Sequence, residues 1–396
     1  FVGTGQHSHN GGTCFTYVYR IDECGNILWF NLYGSGGGGL SIDATNDGGV
    51  VVSASNHNVI KIDSLGNPEW EKIFSTGGSY ITSVIQTSDN GYLVGGDAGD
   101  IVKLDSVGNI VWSGHSGLSY GQIHALDEFP NGDFMFFAWD NSNVNVGRVS
   151  SLGVLVWDRL YASGASPDDG HNGYAGEALI DTNQNTIIVA SNTNYGTGSQ
   201  STGGVLVASF DFNGNLINGN VFSSASGGEF VRSIDLTEHG GYIIGGGSYG
   251  LNTLSANVSQ IPGVTPDDLA GRDILLFKVD TNINFQWSSV IGCSGSEKAI
   301  GVRANQDNGY TISAYTDGGF FNAQNFDPLF IKTDSLGQVG CQQYSPILNQ
   351  SSVPITPIAQ NSFYSTSVTA SSSVPAYLSI SPSDYYMCLD CSTTPF

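Results

Sequence analysis

Five carboxylates and three imidazoles stand where they could do chemistry. Asp168 and Asp169 lie in SPDDGHN (166–172), and Asp267 and Asp268 lie in TPDDLAG (265–271). Adjacent carboxylates on a turn supply the hard oxygens that Ca2+ takes, and Ca2+ is the one cofactor that the sequence suggests. No D-x-[DN]-x-[DN]-G loop with a closing Glu accompanies them, and Pro-Asp-Asp is equally an ordinary turn or helix-cap sequence. His7 and His9 form an H-x-H that would clamp a transition metal if its ring nitrogens converged, with Asp168 and Asp169 as the carboxylates of the metal set. His171 and Asp327 complete the candidate ligand-binding set with Asp168, Asp169, Asp267 and Asp268.

Catalytic signatures are missing. No G-x-S-x-G elbow, H-E-x-x-H or phosphate-binding loop occurs, so no catalytic residue is named. Glu177, Glu229 and Glu297 precede apolar runs and mark no acid–base pair.

Cys14, Cys24, Cys293, Cys341, Cys388 and Cys391 make an even set, which in an exported chain favours disulfides. Cys388 and Cys391 form one C-x-x-C, without the second pair or nearby His of a zinc site. The pairing stays open.

Charge narrows the partners. The net charge is −23 with only 12 Lys plus Arg. Nucleic acid, which demands a basic face, is excluded as a partner. No run of about 18 apolar residues exists to span a bilayer, so membrane insertion is not expected. An acidic, Lys-poor surface suits an extracellular or cell-surface protein, with a glycan, a matrix component, another surface protein or another copy of itself as partner.

The elements that must position these residues come from a repeat. YRIDECGNILW (19–29) recurs as IKIDSLGNPEW (60–70) and VKLDSVGNIVW (102–112), and four degenerate copies follow. The anchors are Asp22, Asp63, Asp105, Ser150, Asp211, Asp280 and Asp334; Trp29, Trp70, Trp112, Trp157 and Trp287 close five of the copies. A turn-bearing motif such as TNDGGVVVSA (45–54) precedes each later copy. Asn-Gly and Asp-Gly turns between alternating apolar runs signal hairpins. Four strands in about 41 residues is the size of one propeller blade. The expected fold is all-β: a seven-bladed β-propeller over 1–344, with the Trp filling the wedge between blades and the repeat Asp capping its turn. Arg20, Lys61, Lys103, Arg148, Lys278 and Lys332 share one repeat position, which reads as a structural ion pair or a covering stem beside that Asp, with a ligand-binding ring of cations as the alternative.

The repeats resemble the Asp-x-x-Gly-Asn-Φ-x-Trp propeller repeats of secreted surface proteins of Bacteroidota, cargo of the type IX secretion system. More distantly they resemble quinoprotein-like propellers, but the Asp-to-Gly spacing differs, and no quinone site is carried over. The resemblance implies export to the cell surface and a role in adhesion. It also implies a cleaved C-terminal sorting module, which fits a mature or truncated chain.

Insertions sit at 160–173, 191–204, 247–272 and 315–328, in blades 4 to 7. All are d–a or b–c connections, which emerge on one face of a four-stranded blade. The leading reading is therefore a non-enzymatic exported binding protein that uses these loops. A polysaccharide hydrolase or lyase and a structural subunit of an extracellular assembly are the alternatives. Phe1 aligns with Val50, Tyr92, Phe134 and Tyr242, so blade 1 is expected to lack its first strand. The β-rich extension 345–396 is one candidate to supply that strand and close the ring; an upstream strand or a neighbouring chain is the other. His7 and His9 would then stand on the first b–c loop.

Overall fold

The computed structural model describes residues 1–9, 13–22, 26–34, 37–75, 77–118, 121–140, 143–162, 176–193, 204–224, 228–249, 272–292, 296–316, 327–339, 343–344, 348–352, 355–358, 364–373 and 377–379. Every regular element among them is a strand, and the strands form seven sheets. The chain is a seven-bladed β-propeller.

Blade 1 holds β1 (Val2–His9), β2 (Thr13–Ile21) and β3 (Ile27–Tyr33). Blade 2 holds β4 (Gly39–Ala44), β5 (Val50–Ala54), β6 (Asn58–Ile62) and β7 (Pro68–Phe74). Blade 3 holds β8 (Ile81–Gln86), β9 (Tyr92–Gly96), β10 (Asp100–Leu104) and β11 (Ile110–His115). Blade 4 holds β12 (Gln122–Glu128), β13 (Phe134–Asp140), β14 (Asn143–Val149) and β15 (Leu155–Ala162). Blade 5 holds β16 (Gly176–Asp181), β17 (Thr186–Thr193), β18 (Gly204–Asp211) and β19 (Leu216–Ser223). Blade 6 holds β20 (Glu229–Leu236), β21 (Tyr242–Tyr249), β22 (Arg272–Val279) and β23 (Phe285–Ile291). Blade 7 holds β24 (Glu297–Ala304), β25 (Tyr310–Thr316) and β26 (Asp327–Thr333).

The remaining strands come from the tail: β27 (Gln343–Tyr344), β28 (Asn349–Ser352), β29 (Thr356–Ile358), β30 (Tyr364–Ser365), β31 (Ala370–Ser373) and β32 (Tyr377–Ser379). In chain order they attach to the outer strands β23, β19, β15, β11, β7 and β3. The tail thus visits blades 6 to 1 in reverse, adding one short strand to each. β32 lies against β3, at the opposite edge of the sheet from β1, so the described part of the tail does not supply a first strand to blade 1. The tail carries few apolar residues per strand. That composition suits the solvent side of a sheet better than the crowded inner side.

The chain divides into two compact units. The first carries blades 1 to 4 with β30, β31 and β32; the second carries blades 5 to 7 with β27 and β28. In both, the cores lie between sheets. In the first unit Val50, Val52, Ile60 and Ile62 of blade 2 pack with Val18 and Tyr33 of blade 1. In the second, Phe222, Val205 and Val207 of blade 5 pack with Val231, Leu275 and Phe277 of blade 6. Middle strands such as β5, β6, β9 and β10 are buried at every residue, so both of their faces are covered. A lone blade would leave both faces wet, which is why stacking neighbours stabilises each one.

The repeat residues make this stacking specific. The indole Nε1 of Trp29 donates to the Ser64 carbonyl at 3.1 Å, and that of Trp112 donates to the Ser151 carbonyl at 3.0 Å. Each ring lies on the glycine of the next blade's turn. Gly66 (φ 87°) faces Trp29, and Gly153 (φ 78°) faces Trp112. A side chain there would be disfavoured by the left-handed backbone and by the ring.

Candidate functional site

The repeat aspartates hold turns. Asp63 accepts hydrogen bonds from the backbone N–H groups of Leu65 and Asn67, both at 2.8 Å, and from the Asn67 side chain at 2.9 Å. Asp105, Asp211 and Asp280 repeat this geometry. Asp22 keeps both bonds to Asn26, and Asp334 keeps the backbone bonds to Leu336 and Gln338. Trp70 meets Tyr92 edge-on at 5.3 Å, and Trp287 meets Tyr310 at 5.7 Å. Trp157 is buried beside Arg159.

The cations of the repeat position pair elsewhere than expected. Lys61 bonds Asp47 at 2.8 Å and Glu69 at 2.7 Å; Lys103 bonds Asp89 at 2.8 Å. Arg148 pairs with Asp133, and Lys332 pairs with Asp307 at 2.5 Å. Apart from Glu69, which lies on β7, these partners belong to the first hairpin turn of the same blade, and none is the repeat Asp. The reason is reach: successive residues of a strand point to opposite faces, and the adjacent hairpin turn lies beside the Lys face. Arg20 donates instead to the carbonyls of Gly48 and Ser64. Burial acts to raise Asp47, but bonds from Lys61, Thr45 and Gly49 outweigh it and hold the carboxyl down at about 2.

His7 and His9 lie within β1, opposite Phe15 and Thr13, rather than on a loop. Their side chains are outside the described residues, as are Asp168, Asp169, His171, Asp267 and Asp268 altogether. Asp327 opens β26 opposite Thr316, with its side chain likewise outside the description. Cys14 sits in β2 opposite Ser8. Its thiol and the residues Cys24, Cys293, Cys341, Cys388 and Cys391 are outside the description, so the disulfide expectation rests there. Among the described residues no group of three or more His, Cys, Asp and Glu side chains stands close enough to hold a metal ion. No helix among them is long and apolar enough to cross a membrane.

The second unit brings together carboxylates that sequence reading left scattered. At the b–c end of blade 6, Glu229, Ser248 and Asp273 stand directly opposite one another on β20, β21 and β22. Directly opposed residues share a face. Blade 7 repeats the row as Glu297, Thr316 and Asp327 on β24, β25 and β26. Ser248 Oγ donates to Glu229 Oε1 at 3.4 Å, and Thr316 Oγ1 donates to Glu297 Oε1 at 2.8 Å. Asp273 and Glu297 are each 0% exposed, and Glu229 is 2% exposed. Burial, then the charge of Glu297, pushes Asp273 up to about 8. Burial also raises Glu229. The signal available in the sequence was the shared G-x-E (227–229 and 295–297) ahead of each inner strand.

A second cluster lines the first strands of blades 5 to 7. Glu177 Oε2 accepts the Ile234 N–H at 2.9 Å, and its other oxygen lies 3.8 Å from Arg303. Arg303 also donates to Ser233 Oγ at 3.1 Å. Asp235 accepts the Ala304 N–H at 2.9 Å; burial raises its carboxyl against the pull of Arg303.

No family model matches the chain, and no curated protein matches it in sequence. Solved structures that resemble it are propellers at low identity. BamB from Moraxella catarrhalis is 13% identical, with 88% of this chain and 85% of that one covered and a TM-score of 0.46. A streptogramin B lyase structure is 11% identical, over 75% and 82%, with a TM-score of 0.47. The WD40 β-propeller domain of Doa1 is 11% identical, over 79% and 94%, with a TM-score of 0.48.

Proposed function

We propose that this chain is an exported binding protein of the cell surface or extracellular space. It recognises a glycan, a matrix component or another surface protein through the loops that follow blade 4 and those within blades 5 to 7. One observation carries this reading. The hairpins β17–β18, β21–β22 and β25–β26 all open into long connections at one kind of position, rooted at the pairs Thr193–Gly204, Tyr249–Arg272 and Thr316–Asp327. The other turns of these blades stay tight. Long loops on a rigid sheet scaffold are where recognition resides. The acidic surface supports a neutral or basic partner and disfavours nucleic acid.

Deleting 251–270 tests it against a panel of immobilised polysaccharides and matrix proteins, with the chain itself included as a ligand. The variant should keep its far-ultraviolet circular dichroism and its unfolding midpoint while losing the binding that the parent has. Unchanged binding, or no binding by the parent across the panel, overturns the proposal.

The hydrolase or lyase reading is favoured by the Asp273–Glu297 neighbours, one raised and one beside it. Full burial of both counts against it, because a general acid must reach its substrate. Polysaccharide turnover by the parent that Glu297→Gln abolishes would put this reading first.

A further inference from the structure

Buried carboxylates of the first unit have hydrogen-bond partners. Glu71 Oε1 accepts from Asn58 at 3.0 Å, and Asp100 Oδ2 accepts from the Gly77 N–H at 2.8 Å. Asp273 differs. It is 0% exposed, and neither of its carboxyl oxygens has a hydrogen-bond partner among the described residues. The space around it is set by sequence: Gly292, across on the strand edge, is a residue whose added Cβ would collide with the Asp273 carboxyl.

What faces Asp273 is polar or acidic. Glu229 stands in its row from β20, Ser248 comes from β21, and Glu297 acts on it from β24. The nearest bases by sequence alternate away. Arg272 precedes it on β22 opposite Tyr249, and Lys298 follows Glu297 and lies 5.6 Å from the ring centre of Tyr315. A bare carboxylate in such a place is costly, and the group either neutralises or finds a cation. Three ligating side chains do not converge among the described residues, so the cation is not favoured.

We propose that Asp273 is a proton-binding site, carried as a neutral carboxylic acid in the folded chain, and that losing this proton beside Glu297 loosens the b–c end of blades 6 and 7. The device stands whether or not those loops bind a ligand. Its sign follows from linkage. A carboxyl raised from 3.8 to about 8 on folding contributes fully at pH below its unfolded value. The contribution fades as pH climbs from ~4 to ~8 and is flat beyond.

The experiment compares the full chain with Asp273→Asn. Between pH ~5 and ~8 the folding constant of the parent, relative to the variant, should fall by up to about tenfold per pH unit, then level off. Isotope-edited infrared spectroscopy near pH ~6 should find a protonated carboxyl band in the parent that the variant lacks. Hydrogen exchange at Ile274, Leu275 and Ala299, corrected for intrinsic chemistry, should rise with pH in the parent only. Parallel pH profiles, or no such band, overturn the proposal. So does Ca2+ that stabilises the parent at alkaline pH and not the variant, which would make this a cation site. If Asp273→Asn does not fold, Glu297→Gln decides: removing the neighbouring charge should move the falling limb to lower pH, and an unmoved limb overturns the proposal.

Discussion

At the residue scale, glycine and aspartate divide the work of the repeat. The aspartate folds the turn, and the glycine lets the preceding blade's Trp lie on it. Gly132 offers a control for Gly153, because it has φ 82° and nothing within 4 Å of an added Cβ. Gly132→Ala should cost about 1–2 kcal/mol, the price of a left-handed alanine. Gly153→Ala should cost at least about 1 kcal/mol more, because Trp112 must shift. Urea unfolding of the two variants measures the difference, and equal losses would refute docking onto the glycine. Ile283 breaks the pattern, holding φ 63° where other copies have Gly. Its side chain is buried in the core between blades 5 and 6, and that burial offsets the strained backbone. The hairpin aspartates give a pH signature of opposite sign to Asp273. Asp47, Asp89 and Asp307 are held below their ordinary value by bonds that include Lys61, Lys103 and Lys332. Their stabilisation is present above pH ~4 and is lost as pH falls below it, for Asp47 through about 2. Lys61→Met should shrink this acid limb in a series of urea midpoints against pH.

At the element scale, strand identity was plain in the sequence wherever a turn motif bounded an apolar run. TNDGG (45–49) and DSLGN (63–67) bracket β5 and β6 because Asn-Gly and Asp-turn chemistry leaves one geometry open. The tail was legible only as alternating apolar residues, because its pairing partners lie hundreds of residues away: Lys72 Nζ donates to Ser372 Oγ at 2.9 Å. No local pattern encodes such a partner. The acidic rows of blades 6 and 7 were hidden for the same reason, since Glu229 and Asp273 meet only across an intervening strand. The tail strands are anchored by few side chains. Leu348 and Ile355 are buried, and Gln350 spans to blade 6 by accepting the Phe285 N–H at 3.0 Å. Ile355→Ala should remove about 2–4 kcal/mol of local packing. The expected readout is faster proteolysis around 349–358 with the blade cores still protected from exchange. Protection unchanged in β28 would refute that anchoring.

At the scale of the whole molecule, the proposed recognition segments are separate in sequence from the repeat that folds the blades. Blade-to-blade packing uses the repeat Trp, Gly and apolar strands, while the long connections are rooted at one kind of position, between the second and third strands of blades 5 to 7. Composition and period fix the architecture because the blades repeat, whereas the segments proposed to carry recognition have no repeat to read. The tail adds a mechanical consequence. Its strands join six blade edges one after another, each by only a few backbone hydrogen bonds. Tension applied at the C-terminal end would therefore load one short strand at a time, as in peeling tape, and not all six in shear. Release should proceed from blade 1 toward blade 6 in a ladder of small force steps while the blades stay folded.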